Sequence, residues 1–418
     1  MDPFVTLFAI AVLALVGISF FKPQDVKLVT TPQFKAFQRS FLVIFLIMMA
    51  ADWMQGPYVY RLYAYYGFTI AQNGQLFIAG FGSSMVFGTF AGSMADKYGR
   101  KTLCITYGIT YMLSCMTKHF NNFGVLMIGR LLGGISTSIL FSAFESWMVS
   151  EHQNQNFSGD WLSETFSLMT IGNGIVAIVA GWIAQTAVTY ADHPVAPFDV
   201  SFIFLLAGTI LIGSQWKENY GDTKKSTTTA IMDTVRTILN TKTYLLLGAI
   251  QSLFEGAMYT FVFMWTPALE AGDIAIPHGI IFASFMVCCS IGGALFDILS
   301  KKMPVEQLMR SVFLCSAVCM AVPVLTGDTM HMYLAFLVFE ISVGVFWPGM
   351  GTLRGKYVPE ETRATMMNLF RVPLNFLVCI ILLYVGSLTI AQVFTACTIF
   401  HILCATLQHI LCISVISN

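Results

Sequence analysis

Long apolar stretches are the feature that most constrains how this chain can fold. A helix needs about 20 mostly apolar residues to cross the hydrocarbon core of a bilayer, and such stretches recur along nearly the whole sequence. Hydrophobic residues make up 56% of the 418 residues, and charged residues only 11%, whereas charged residues are roughly 25% of typical soluble domains. The sequence therefore predicts an all-α membrane protein whose surface is mostly covered by lipid.

Thirteen spans are predicted, a first one at about 4–21 and a core of twelve. The core spans lie near 38–60, 71–95, 102–119, 123–148, 162–187, 199–216, 243–267, 276–299, 308–326, 331–352, 364–388 and 390–415. The first span runs into Phe20-Phe21-Lys22-Pro23 and not into a small-residue cleavage site, so we expect it to be retained as an anchor.

The basic residues predict the orientation. Of the 22 lysines and arginines, Arg61 and Lys118 fall at span ends on one side, and Arg130 and Arg371 lie inside spans. All the others fall in loops on the opposite side, which the positive-inside rule assigns to the cytoplasm. The N-terminus is then outside and the C-terminus cytoplasmic.

A polar stretch at 217–242 divides the core spans into six and six. We expect an anchor helix and cytoplasmic loop at 1–37, an N-terminal half at 38–216, a cytoplasmic linker at 217–242 and a C-terminal half at 243–418. A sequence repeat supports two related halves: GSMADKYGRK at 92–101 recurs as GALFDILSKK at 293–302, with glycine, aspartate and the final lysine in the same places.

The segment GSMADKYGRK closely resembles the signature loop of the major facilitator superfamily. The resemblance implies the major facilitator fold, with twelve core helices in two halves and, here, one extra N-terminal transmembrane helix. Such transporters bind substrate near the membrane midplane. It also implies that Asp96 and Arg100, and Asp297 in the repeat, form a latch that controls opening and do not touch substrate.

Several further segments narrow the resemblance to one family within this superfamily. They are AADWMQGPY at 50–58 with YRLY at 60–63, FSAFESW at 141–147, QSLFE at 251–255, and FRVPL at 370–374. Together they are similar to the molybdate-anion transporter family, and the similarity runs from about residue 1 to 415. Membership would imply uptake of molybdate, a tetrahedral dianion.

Five ionisable residues lie deep in predicted spans: Asp52, Arg130, Glu255, Glu340 and Arg371. Because each unpaired charge at the bilayer centre costs roughly 2.5–3.5 kcal/mol, they must form static ion pairs or line a polar cavity, and we favour the cavity. Arginine suits an oxyanion because its planar fork donates parallel hydrogen bonds and stays charged when buried. We expect Arg130 and Arg371, one from each half, to contact the same anion.

Neighbouring polar residues complete the predicted site. Tyr58 and Gln251 can donate hydrogen bonds to substrate oxygens, although Gln251 can equally bond a neighbouring helix. With three acids and two arginines, a bound dianion would leave excess negative charge, so at least one acid should carry a proton. This predicts proton-coupled uptake with Asp52 or Glu255 as carrier and Glu340 in a coupling role. Glu145, near the inner end of its span, is predicted to act in gating.

Other function classes find little support. The net charge of zero gives no electrostatic attraction to nucleic acid. HExxH and GxSxG motifs are missing, and GTLRGKY at 351–357 is too short for a phosphate loop. We therefore expect no enzyme, cofactor or metal site. The expected protein is a monomeric secondary active importer of molybdate in the plasma membrane, with tungstate or sulfate as competing substrates. An organic anion or sugar carrier, or a non-transporting receptor or scaffold, remains the alternative.

Overall fold

The computed structural model describes residues 2–21, 30–221, 235–272, 274–358 and 360–416. Every regular element within these ranges is helical. In chain order, the main elements are α1 (Pro3–Ser19), α2 (Pro32–Gln55), the 3₁₀ turn η1 (Gly56–Tyr58), α3 (Val59–Tyr65), α4 (Ile70–Tyr98), α5 (Arg100–Thr117), α6 (Phe123–Leu140), α7 (Ala143–Asn154), α8 (Asp160–Ala191), α9 (Ala196–Gln215), α10 (Lys242–Glu270), α11 (His278–Leu299), α12 (Val305–Leu325), α13 (Thr329–Tyr357), α14 (Glu360–Tyr384) and α15 (Ile390–Ile416).

Ten stretches of the described chain are long and apolar enough to cross a membrane. They are Pro32–Tyr65, Ile70–Ala91, Phe123–Asn154, Trp161–Ala191, Ala196–Gln215, Lys242–Glu270, His278–Leu299, Val305–Leu325, Thr329–Tyr357 and Ile390–Ile413. Two shorter apolar helices, Pro3–Ser19 and Leu369–Tyr384, accompany them. The predicted all-α, multi-pass architecture is confirmed.

Two predicted spans differ from expectation, one in where its helix starts and the other in being broken into two helices. The first core helix starts at Pro32, before the expected start at 38, because Thr31 caps it and proline suits the first helical position. The expected span at 123–148 is two helices that meet at Phe141 and Ser142. There the Ser142 hydroxyl donates to the Ser138 carbonyl at 2.7 Å, and such bonds compete with the helical ladder.

The helices fall into two compact units. We call residues 25–225 together with 278–283 unit N. Its helices α4 and α6 approach closely at small residues: the Ser84 and Ser138 hydroxyls are 3.0 Å apart, and a side chain at Gly134 would overlap the Gly80 carbonyl. Small residues permit such close helix packing in membranes, and this packing brings α6 side chains onto the α4 backbone.

Residues 1–24, 226–277 and 284–418 form the second unit, which we call unit C. Aromatic rings fill its interior, where Phe254 of α10 stacks on Phe346 of α13 with 3.8 Å between ring centroids. The N-terminal helix α1 also belongs to this unit, since Phe4 packs on Tyr333 at 5.0 Å. Helix α10 packs against both α13 and α14, and this contact positions the polar residues described next.

Candidate functional site

Four polar side chains of unit C form what we call the Glu255 cluster: Gln251 and Glu255 on α10, Arg354 on α13 and Arg371 on α14. Gln251 and Glu255 are four residues apart, so they share one helix face, one turn from each other. Each is only 3% exposed. The Arg354 guanidinium donates from Nη1 to Gln251 Oε1 at 2.9 Å, which ties α13 to α10 through a charged hydrogen bond.

The Glu255 carboxyl lies beside Gln251 and interacts electrostatically with Arg371 and Arg354. Its Oε1 atom is buried without a hydrogen-bond partner in the described part of the chain. A buried polar atom left unpaired costs roughly 1–3 kcal/mol, so an unpaired carboxylate oxygen indicates a place where a proton or a ligand can act. Arg371 is exposed, which leaves its guanidinium accessible.

The local charge differs from the balance expected from the sequence. The Glu255 cluster holds two guanidinium groups and one carboxyl group, so its excess charge is positive. The expected balance counted three acids together, and the cluster within unit C contains one of them, Glu255. Asp52 belongs to unit N, and Glu340 lies on α13 of unit C.

Arg130 of unit N packs against three residues of α4, namely Leu76, Phe77 and Gly80, which we call the α4 platform. Its Nε donates to the Leu76 carbonyl at 3.2 Å, and its guanidinium lies over the Phe77 ring, 4.6 Å from the centroid. Gly80 makes room for it, since a Cβ there would be 2.5 Å from Nη2. No acid forms an ion pair with Arg130 within the described ranges. The guanidinium is thus held by backbone and ring contacts, and its charge is not neutralised by a carboxylate.

Asp52 and Tyr58 have partners inside unit N. The Tyr111 hydroxyl donates to Asp52 Oδ1 at 2.6 Å. The Tyr58 hydroxyl, only 2% exposed, donates to Gln185 Oε1 at 2.8 Å, and the Gly279 amide donates to the same oxygen at 3.0 Å. The Tyr58 proton that was predicted to meet substrate is therefore used within the protein.

The other predicted coupling or gating residues lie on three different helices. Glu340 is buried on α13, near Cys288 and Cys289 of α11. Glu145 is exposed in the first turn of α7. Asp297 is half-buried near the end of α11.

Two of the predicted latch residues flank the junction of α4 and α5: Asp96 lies in the last turn of α4, and Arg100 is the first residue of α5. Asp96 Oδ1 accepts from Arg100 Nη2 at 2.8 Å and from Nε at 3.2 Å. A residue beyond α9 completes the junction: the Glu218 carboxylate accepts from the backbone amides of Lys101 at 2.8 Å and Thr102 at 3.0 Å. An acid at a helix N-terminus satisfies free amides and complements the helix dipole. Glu218 thus caps α5.

We expect Glu218→Ala to destabilise unit N by about 1–2 kcal/mol, because two amides at the start of α5 lose their acceptor. Thermal unfolding of the detergent-solubilised protein measures this as a lower melting temperature. Glu151→Ala is the matched control, since among the described residues the Glu151 carboxylate accepts only from the exposed Gln155 side chain, at 2.8 Å. Equal melting temperatures for the two variants would contradict the capping role.

Comparisons with known proteins decide the family. A family profile described as sugar transporters with 12 transmembrane segments matches residues 4–335. The molybdate-anion transporter of Xenopus laevis is 35% identical over 390 residues, which cover 89% of this chain and 85% of that protein. The one from Xenopus tropicalis is 36% identical over 362 residues, covering 84% and 79%. The chain belongs to the molybdate-anion transporter family.

Solved structures confirm the major facilitator fold that the sequence predicted. The nucleoside transporter NupG is similar with a TM-score of 0.67 at 15% identity, over 89% of this chain and 97% of that one. A D-xylose–proton symporter gives a TM-score of 0.69 at 10% identity, over 90% and 97%. Identities this low establish the fold for this family member and nothing about its substrate.

The sequence did not predict one residue of the Glu255 cluster and two buried or capping contacts in unit N, because the partners are distant along the chain. Arg354 was counted among the loop cations, yet it is half-buried and bonded to Gln251. Lys118 was assigned to a span end, but it is 1% exposed and donates to the Tyr63 hydroxyl at 3.1 Å. The cap formed by Glu218 has no sequence signature, since it joins residues more than a hundred positions apart.

Proposed function

We propose that this protein imports molybdate across a membrane as a secondary active transporter working by alternating access. The observation that carries the proposal is the Glu255 cluster, where two guanidinium groups and one buried carboxyl group leave excess positive charge in a molybdate-anion transporter fold. Within unit N, Arg130 holds a guanidinium that contacts the Leu76 carbonyl and the Phe77 ring and forms no ion pair with an acid of the described residues.

The chemistry of arginine fits a tetrahedral dianion. A guanidinium can donate two parallel N–H bonds to two oxygens of one oxyanion, and it remains charged when it is partly buried. Its weak hydration also lowers the cost of taking it out of water. Arg371 in unit C and Arg130 in unit N are therefore each a proposed substrate contact. Gln251, whose NH₂ group can donate a hydrogen bond, is a further polar neighbour of Arg371's cluster.

Glu255 is the proposed proton carrier. When its carboxyl group is ionised, it competes with substrate for the two nearby guanidinium groups. When it is protonated, the two positive charges of the cluster match the two negative charges of molybdate. Binding of the dianion would then be linked to the uptake of one proton. Asp52 is the alternative carrier, held by the Tyr111 hydroxyl in unit N.

The remaining residues have proposed roles in gating and coupling. The ion pair of Asp96 with Arg100 and the acid Asp297 would control opening, as would Glu145, and Glu340 would act in coupling. We place the protein in the plasma membrane as a monomer, with its N-terminus outside and its C-terminus in the cytoplasm. The excess of lysine and arginine in alternate loops supports this orientation.

A sugar carrier is the second candidate function, because the matching family profile is described as sugar transporters. A neutral sugar could accept hydrogen bonds from Gln251 and the arginines. It would leave the excess positive charge of the Glu255 cluster uncompensated, and this favours the anion.

Elemental analysis of cells tests the proposal. Cells that express the protein should accumulate molybdenum above vector controls, and excess tungstate or sulfate should reduce this uptake more than D-xylose or an organic anion does. Molybdenum at the vector level would contradict the proposed substrate. Inhibition by D-xylose alone would favour the sugar carrier.

Gly80→Ala probes the platform beneath Arg130. The added Cβ would lie 2.5 Å from Nη2 and displace the guanidinium, so we expect about tenfold weaker molybdate uptake, the value of one charged hydrogen bond. Gly82→Ala is the matched control, because Gly82 has open space around it on the same helix. Normal uptake by Gly80→Ala at normal surface level would remove Arg130 from the proposed site.

A further inference from the structure

We propose that Arg354 is a second anion-binding residue of unit C, and that its bond to Gln251 occupies it until substrate arrives. The inference rests on the proposed function and adds a residue that the sequence places among ordinary loop cations. It follows from three observations: the partner of Arg354, the orientation that this partner must adopt, and the charge balance around Glu255.

The basic residues at the end of α13 have different partners. Lys356 donates to Glu306 Oε1 at 2.7 Å, and the Tyr357 hydroxyl donates to the same carboxylate oxygen. Lys356 is thus neutralised in a structural ion pair. Arg354 has only the neutral Gln251 amide within hydrogen-bond distance across the described residues, at 2.9 Å. A half-buried guanidinium without its own carboxylate retains its capacity to bind an anion.

The bond also fixes the Gln251 amide. A guanidinium has donors and no acceptor, so the oxygen of Gln251 must face Arg354 and its NH₂ group must point elsewhere. Glu255 lies one turn further along the same face of α10 and beside that amide. Gln251 therefore links the cation Arg354 to the acid Glu255. An oxyanion that accepts from Arg354 would release Gln251 and change the hydrogen bonding of Glu255.

Charge balance explains why two arginines are useful here. With Arg354 and Arg371 present, ionised Glu255 leaves one excess positive charge. With Arg371 alone, ionised Glu255 would cancel it, and an arriving dianion would meet a neutral site. Arg354 thus keeps the cluster attractive to anions whichever way Glu255 is ionised. Arg354 lies in the last turn of α13.

Counterflow of molybdate in proteoliposomes, without a pH gradient, tests this role. We expect Arg354→Gln to raise the KM for molybdate about tenfold or more, with a smaller change in maximal rate, since a charged hydrogen-bond donor is lost. The double variant Arg354→Gln with Glu255→Gln should recover part of the KM, because the excess positive charge returns while the lost donor stays absent. Lys356→Gln, which breaks only the structural ion pair, should keep the wild-type KM.

The outcomes separate this inference from the proposed function. If wild type carries no molybdate, the proposed function fails. If wild type carries it and Arg354→Gln has an unchanged KM, or the double variant shows no recovery, the role of Arg354 is refuted. Should Arg354→Gln fail to fold, Arg354→Lys keeps the charge and loses the fork. An intermediate KM for Arg354→Lys supports the inference, and an unchanged one overturns it.

Discussion

Arg371→Gln is expected to lower the kcat/KM for molybdate by about 100-fold, the largest effect of any single substitution in this protein. Glutamine keeps a hydrogen-bond donor but removes the charge and the fork, which together account for about 3 kcal/mol, or two charged hydrogen bonds. It also leaves Glu255 facing only Arg354. Initial rates of uptake at several molybdate concentrations measure the change.

Arg310→Gln is the matched control for this substitution. Arg310 is an arginine of the same unit whose Nη1 lies 3.1 Å from His409 Nδ1, away from the Glu255 cluster. It should retain wild-type kinetics at equal surface level. Comparable losses in both variants would mean that Arg371 acts through folding, and uptake by Arg371→Gln within twofold of wild type would exclude it as a substrate contact.

Glu255→Gln should uncouple transport from protons. Wild-type uptake is expected to rise as the external medium becomes more acidic, because protonation of Glu255 frees the guanidinium groups for the dianion. Glutamine mimics the protonated acid permanently. The variant should therefore exchange molybdate at every pH while losing accumulation against a gradient. Uptake rates measured between pH 5 and 8, and steady-state molybdenum content, give the two readouts.

Asp52→Asn serves as the comparison, since Asp52 is the other proposed carrier and lies in unit N. If Glu255 carries the proton, molybdate uptake by Asp52→Asn should depend on pH as it does in the wild type. A flat pH profile in Asp52→Asn, with a normal profile in Glu255→Gln, would transfer the carrier role to Asp52. Unchanged profiles in both variants would exclude proton coupling through either acid.

The length and apolar character of each segment determine how much of the fold the sequence could predict. Apolar length determines which segments can cross a membrane, so the all-helical, multi-pass fold and most of its spans were predictable. Breaks inside spans were harder to predict, because the hydroxyl bond from Ser142 back to its own helix at the break is the same kind of bond that Ser138 and Thr106 make inside unbroken helices. The residues around Phe141 and Ser142 are mostly apolar, like the rest of the span, so the sequence there does not indicate a break.

The sequence predicted several individual residues of the site but not which of them lie next to one another. Burial of charge is costly in a membrane, and this singled out Arg371 and Glu255 from their sequence context alone. Arg354 was not predicted to belong to the site, because basic residues commonly lie near the cytoplasmic ends of transmembrane helices. Only the packing of α10 against α13 shows that its guanidinium reaches Gln251.

Purified protein in proteoliposomes gives the most direct test of the central claim, that this chain carries molybdate with the arginines of the Glu255 cluster. With an inward proton gradient and external molybdate, we predict that wild type accumulates molybdenum inside the vesicles, that dissipating the gradient abolishes accumulation, and that Arg371→Gln remains at the level of empty liposomes. Vesicles with wild-type protein that take up no more molybdenum than empty ones, or Arg371→Gln that accumulates it as wild type does, would contradict the account.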